Sequence, residues 1–152
     1  MGIQDGVPDA VVDSPRDFVQ EHIRRYVDTD GADGAEYLGY RALLLTTVGR
    51  RSGARRRTAL YYGRDGDDYL LVASRGGDPH HPSWYLNLDA NPEVEVQVGG
   101  EVFTARARTI EGAERARLWQ RMVETFPRYG EYQERTTRRL PVVVLRRTRG
   151  ER

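Results

Sequence analysis

Three stretches combine residue types and spacings that could do chemistry. The first is TTVGRRSGARRR, residues 46–57, where Arg50, Arg51, Arg55, Arg56 and Arg57 occur without one acidic neighbour. Gly49 and Gly53 bracket Arg50, Arg51 and Ser52. A turn at this point can aim several backbone N–H groups into one concavity, and arginine forks add bidentate contacts to phosphate or carboxylate. The competing reading is a solvated basic hairpin without a ligand. Charge distribution bears on the choice. The whole chain carries +1 and these arginines +5, so everything else sums to −4. Charge focused in this way suits one small anionic ligand. A nucleic-acid-binding domain shows a long basic face and a pI above about 9, whereas this sequence has a pI of about 8.1, so no nucleic-acid partner is expected.

The second stretch is SRGGDPHHPSWYLNLDANP, residues 74–92. It follows a predicted strand, and Gly76-Gly77 permits close approach of backbone to a ligand. His80 and His81 are adjacent, so on extended backbone they diverge and make a poor metal pair; no metal is expected. Trp84, Tyr85, Leu86 and Leu88 fit a core as readily as a cofactor pocket. The third stretch, TFPRYGEYQERTTRR (residues 125–139), places Phe126, Tyr129 and Tyr132 at three-residue intervals. They can line one face or one lid, and a tyrosine hydroxyl at a pocket can orient or protonate a substrate. The alternative is a peripheral aromatic cluster.

What is missing narrows the chemistry. The chain has 152 residues and no cysteine, and all of its 24 basic residues are arginine. Thiol nucleophiles, thiolate metal sites, lysine Schiff bases and a Walker-type lysine are therefore excluded. No nucleophile–base pair stands out, so a bound organic cofactor is the better carrier of any reaction. No apolar run approaches the roughly 20 residues needed to span a bilayer, and the N-terminus lacks a signal-peptide pattern. A cytoplasmic protein is expected.

The elements that must position these stretches read as one domain. Residues 1–13 are expected to form a flexible leader, and 14–152 a single domain that opens with a helix capped by Ser14-Pro15. Phe18, Val19, His22, Ile23, Tyr26 and Val27 give that helix one apolar stripe. Strands are expected at 43–48, 58–63, 68–74, 93–98, 102–108 and 140–145. Asp65-Gly66 and Gly99-Gly100 mark two hairpin turns, and a helix covers 111–126 up to Pro127. Six mainly antiparallel strands with peripheral helices make an α+β barrel or sandwich.

In this order, the three stretches resemble the deazaflavin-dependent nitroreductase family of actinobacteria. The similarity runs from about Leu43 to Leu145 and is carried by TTVGRRSGARRR, LYYGRDGDDYLLVASRGG and HPSWYLNLDANPEVEVQVGG. The resemblance implies an FMN-binding-like split β-barrel that binds reduced coenzyme F420, an 8-hydroxy-5-deazaflavin with a phosphate and an oligoglutamate tail. The tail would meet the loop containing Ser52 and Gly53, with Arg50, Arg51 and Arg56 at the family's basic positions. Ser74, Arg75, Gly76 and Trp84 would lie beside the cofactor. Tyr61, Ser74, Tyr129 and Tyr132 would line the substrate side as catalytic candidates. The implied reaction is hydride transfer to an electron-poor small molecule such as a quinone, an enone or a nitro compound. Phe126 stands where the nitroimidazole-reducing member has tyrosine, Ala59 replaces a proline, and His81-Pro82 replaces Asn-Pro. An FMN-binding oxidoreductase of the same fold and a non-catalytic F420 carrier are the alternatives. A homodimer and peripheral membrane contact through the N-terminal helix stay open.

Overall fold

Apolar runs without polar interruption need cover on both faces, and the fold supplies it. In β3 (Tyr40–Val48), β6 (Asp68–Val72) and β9 (Val142–Arg147), successive side chains alternate between separate cores. Leu43, Leu45, Leu71, Val143 and Leu145 fill the barrel interior. Leu70, Val72, Val142 and Val144 face an outer core beneath helices, and Leu44 faces α1 (Asp17–Asp28). β7 (Glu93–Val98) and β8 (Glu101–Thr109) alternate openly in sequence because only one face is covered. Val94, Val96, Phe103, Ala105 and Ala107 are interior, while Glu93, Glu101, Thr104, Arg106 and Arg108 are exposed.

The computed structural model describes residues 11–13, 17–32, 36–37 and 40–148. The other strands are β1 (Val11–Asp13), β2 (Glu36–Tyr37), β4 (Arg55–Tyr61) and β5 (Gly63–Asp65). The sheet runs β1-β4-β3-β7-β8-β9-β6-β5, with β2 paired to β3 off this path. Among the described pairings only β1–β4 is parallel. With α2 (Ser83–Ala90), α3 (Gly112–Thr125) and α4 (Arg128–Glu134), this is the expected α+β half-barrel. Both hairpin turns fall where Asp65-Gly66 and Gly99-Gly100 place them, closing Asp65 onto Asp68 and Val98 onto Glu101.

The structure differs from expectation at the edges. Among the described residues there are nine strands rather than about six, because pairings of two or three residues leave no hydrophobic period to read. Val11–Asp13, assigned to the leader, pairs in register with Arg55–Arg57; residues 1–10 and the Ser14-Pro15 cap lie outside the described residues. β4 starts at Arg55, not Thr58, so the basic stretch divides between a turn and a strand.

The end of α1 is fixed to the barrel. Ile23 and Tyr26 are fully buried, and the Tyr26 hydroxyl accepts from Gly99 N (2.7 Å) and lies 3.1 Å from Ala42 O. Gly31 packs so tightly that a Cβ there would sit 2.2 Å from Gly99 Cα. In the described part of the apolar stripe, His22, Ile23 and Tyr26 are thus buried, whereas Val27 is exposed. No described helix is long and apolar enough to cross a membrane.

Candidate functional site

Backbone pairing carries β3 and β4 up to Val48 and Arg55, leaving Gly49–Ala54 as the turn. Gly49 N donates to Ala54 O (2.7 Å) and Gly53 N to Gly49 O (2.9 Å). Ser52 Oγ accepts from Ala54 N (3.1 Å), so this hydroxyl helps to build the turn. Arg50 is anchored to α2: its backbone N (3.1 Å) and Nη1 (2.8 Å) both donate to Asn87 Oδ1. Asn87 is 2% exposed, and its Nδ2 donates to Thr47 Oγ1 (3.3 Å). Arg51, Ser52 and Gly53 are exposed. Strand alternation separates the remaining arginines. Arg55 pairs with Glu95 two strands away (2.9 Å), whereas the Arg56 side chain returns to the turn, its Nε 3.6 Å from where a Cβ on Gly49 would lie. Arg50, Arg51 and Arg56 thereby collect at one end of the hairpin.

The segment at 74–77 departs most from ordinary backbone. Ser74 is right-handed (φ −84°, ψ −42°), and Arg75, Gly76 and Gly77 follow at φ 46°, 64° and 85°. A right-handed residue leading into left-handed ones forms a nest, a concavity suited to anions or electron-rich atoms. Left-handed arginine costs roughly 1–2 kcal/mol, and strain of this kind persists only where surroundings impose it. Gly76 opens onto space, but a Cβ on Gly77 would lie 2.6 Å from Tyr132 O. The turn is therefore pressed against α4. Beyond it the two histidines diverge, with His80 Nδ1 on Asp78 Oδ1 (3.2 Å) and His81 Nδ1 on Arg138 Nη1 (2.9 Å). Burial, and then Arg138, hold the His81 imidazole below its ordinary value, with Asp89 opposing.

The third stretch forms an aromatic cluster on the outer core. Phe126 contacts Tyr40 (ring centroids 4.6 Å), Tyr61 (5.1 Å) and Tyr129 (4.7 Å), and Tyr132 lies 6.3 Å from Tyr129. Tyr61 and Tyr132 are half-buried, whereas Tyr129 is 4% exposed. Burial, then the neighbouring Tyr132 and Tyr61, push the Tyr129 phenol well above its ordinary range, so it stays protonated at neutral pH. Trp84, on α2, is half-buried against the barrel interior and meets Tyr85 edge-on at 6.3 Å.

The fold thus joins the second and third stretches through α4, and ties the first to the second through α2. A separate cleft of about 350 Å³ lies beside the aromatic cluster, lined by Tyr40, Arg41, Tyr62, Gly63, Arg64 and Thr125. None of the candidate site residues lines it, although Thr125 belongs to the third stretch. Its Arg64 is already engaged with Asp68 O, Gly66 O and the Tyr69 ring.

Three contributors were missed from sequence: Asn87, Tyr40 and Arg138. Asn87 and Arg138 lay inside the quoted stretches, but a buried amide and a carbonyl-binding arginine have no local signature. Asn87→Leu is expected to lower stability by about 1–3 kcal/mol, because two Arg50 donors lose their acceptor and Thr47 its donor in a buried setting. Chemical denaturation measures this, and an unchanged midpoint would show that the anchor is dispensable.

Comparison with known proteins places this arrangement. The model of a family described as F420H(2)-dependent quinone reductase matches residues 18–147. An F420H(2)-dependent quinone reductase of Mycobacterium tuberculosis is 47% identical over 130 residues, covering 83% of this chain and 87% of that protein. Among solved structures, an F420-H2 dependent reductase is 46% identical with a TM-score of 0.64, covering 68% of this chain and 92% of that one. A second, described as a domain-swapped dimer, is 43% identical with a TM-score of 0.67, covering 87% and 99%. The half-barrel is of the split-barrel type, and the chain belongs to the F420H(2)-dependent quinone reductase family.

Proposed function

We propose that this F420-dependent oxidoreductase holds the anionic tail of its cofactor on the β3–β4 turn and the deazaflavin ring at the left-handed turn, and reduces a quinone at the aromatic cluster. The observation that carries the reading is the placement of Arg50 and Arg51 on the β3–β4 turn, with the Arg56 side chain returning to Gly49 beside them. The residues suit such a cofactor. Exposed guanidiniums match phosphate and carboxylates, and Gly76 leaves open space for close approach of a flat ring. An FMN tail has a single phosphate, for which three arginines are excessive.

When bound, reduced F420 supplies a hydride from C5 of its deazaflavin. The protein's own share is positioning, charge matching and exclusion of water. Arg50, Arg51 and Arg56 bind, while Ser52 and Gly53 shape their turn. Ser74, Arg75 and Gly76 present backbone to the ring, and Trp84 supports the helix that anchors Arg50. Tyr129 keeps its proton and donates a hydrogen bond to an acceptor oxygen. Tyr61 and Tyr132 orient the acceptor from the half-buried rim, and solvent completes the protonation.

Quinone is the acceptor favoured by the family description, and the aromatic cluster offers planar rings for it. A domain-swapped relative supports a homodimer. Burial of His22, Ile23 and Tyr26 argues against membrane contact through α1, whose described stripe exposes Val27 alone.

Titration with F420 followed by deazaflavin fluorescence, with FMN alongside, tests the cofactor; quinone-dependent oxidation of reduced F420 tests the reaction. Binding and turnover are expected. Binding without turnover would make the protein a carrier, and preference for FMN would overturn the cofactor assignment.

A further inference from the structure

Arg138 lies between α4 and β9, outside every strand and helix, yet its whole guanidinium is committed. Nε donates to Asp78 O (2.7 Å), Nη1 to Ala73 O (3.1 Å) and Nη2 to Ser74 O (2.7 Å). These carbonyls flank the left-handed turn on both sides, so one rigid planar fork closes the loop from Ala73 to Asp78. The arginine is itself held from α4. Gln133 Nε2 donates to Arg138 O (2.8 Å), and Gln133 Oε1 accepts from Leu140 N (2.9 Å).

We propose that Arg138 is a positioning residue for the cofactor: its guanidinium clamps the Ser74–Gly77 turn into its binding shape and couples that shape to α4. The inference rests on the reading above that this turn receives F420. Three consecutive left-handed residues, one of them arginine, need an external constraint, and Arg138 provides three charge-assisted bonds to their flanks. Lysine keeps the charge but, as a point donor on a flexible stem, cannot reproduce the fork.

His81 makes the clamp sensitive to pH. Its Nδ1 accepts from Arg138 Nη1 only while the imidazole is neutral. Protonation would remove that acceptor and set two cations in contact. The groups facing the ring are Arg138, Asp89 and Tyr85, the last with ring centroids at 5.0 Å. The folded-state value lies below the ordinary 6.5. The unfolded chain therefore takes up the proton first, and the stability tied to neutral His81 is present above 6.5 and lost as pH falls toward the folded value. Asparagine at this position would offer an amide acceptor that does not titrate.

The test uses F420 titration and steady-state kinetics on the wild type, Arg138→Lys, Arg138→Ala and His81→Asn, between about pH 8 and pH 5. Arg138→Lys is expected to weaken F420 binding about tenfold despite the retained charge. KM for reduced F420 should rise while kcat at saturation holds. Wild-type affinity should fall only as pH drops toward the folded-state His81 value, which lies below 6.5, and His81→Asn should flatten that fall. If Arg138→Ala does not fold, Arg138→Lys and His81→Asn still decide the matter. Wild-type affinity in Arg138→Lys, or parallel acid profiles in wild type and His81→Asn, would overturn the clamp. Failure of the wild type to bind F420 would instead overturn the functional reading, and the clamp's role with it.

Discussion

Simultaneous replacement of Arg50, Arg51 and Arg56 by alanine is expected to weaken F420 binding by at least about a hundredfold. All three gather at one end of the β3–β4 hairpin, while Arg55 is withdrawn by Glu95. Exposure and salt screening lower the contribution of each contact, so the estimate stays well below the sum of three buried charge-assisted bonds. Arg50→Ala alone mixes two effects, since it also strips Asn87 Oδ1 of a donor. Arg51→Ala is the cleaner single variant: the side chain is exposed, so it should lose affinity without losing stability. Fluorescence titration at two ionic strengths measures the effect. Wild-type affinity should fall steeply with salt and the triple variant's only weakly. A triple variant that binds F420 like the wild type would reduce the basic turn to a solvated hairpin.

Gly77→Ala should be the most disruptive single methyl in the protein's second stretch. Its Cβ would meet Tyr132 O at 2.6 Å, Arg135 Cβ at 3.0 Å and Tyr132 Cα at 3.2 Å, on backbone at φ +85°. Two of these atoms belong to the α4 main chain and cannot swing aside. Either α4 lifts, separating Tyr129 and Tyr132 from Tyr61, or the turn abandons its left-handed path. We expect a loss of about 2–4 kcal/mol together with loss of F420 binding. Gly76→Ala is the control. It has a similar φ of +64° but open space around its Cβ, so it carries only the backbone cost of about 1 kcal/mol. Equal denaturation midpoints for the two variants would show that contact with α4 does not matter.

Local signals determined much of this protein. Alternation in EVEVQV reported a strand with one wet face, and Gly99-Gly100 closed its hairpin, because period and turn chemistry act within a few residues. The apolar runs at Leu43–Leu45 and Val142–Leu145 were legible as strands for the same reason. The three chemical stretches, their excess arginine and the family resemblance were also readable, and with them the cofactor class. Tertiary structure decided the rest. Alternation cannot say which core receives Leu44 and which Leu45, since that depends on where α1 docks. Nor does the run of arginines reveal that Arg55 is neutralised by Glu95 while Arg56 turns back to Gly49; strand register sets that. Asn87 and Arg138 were the hardest to foresee. Their work is long-range hydrogen bonding, from α2 to the basic turn and from the α4–β9 connection to the left-handed turn. Such bonds exist only after the helices have packed, and no local window of sequence contains both ends of them.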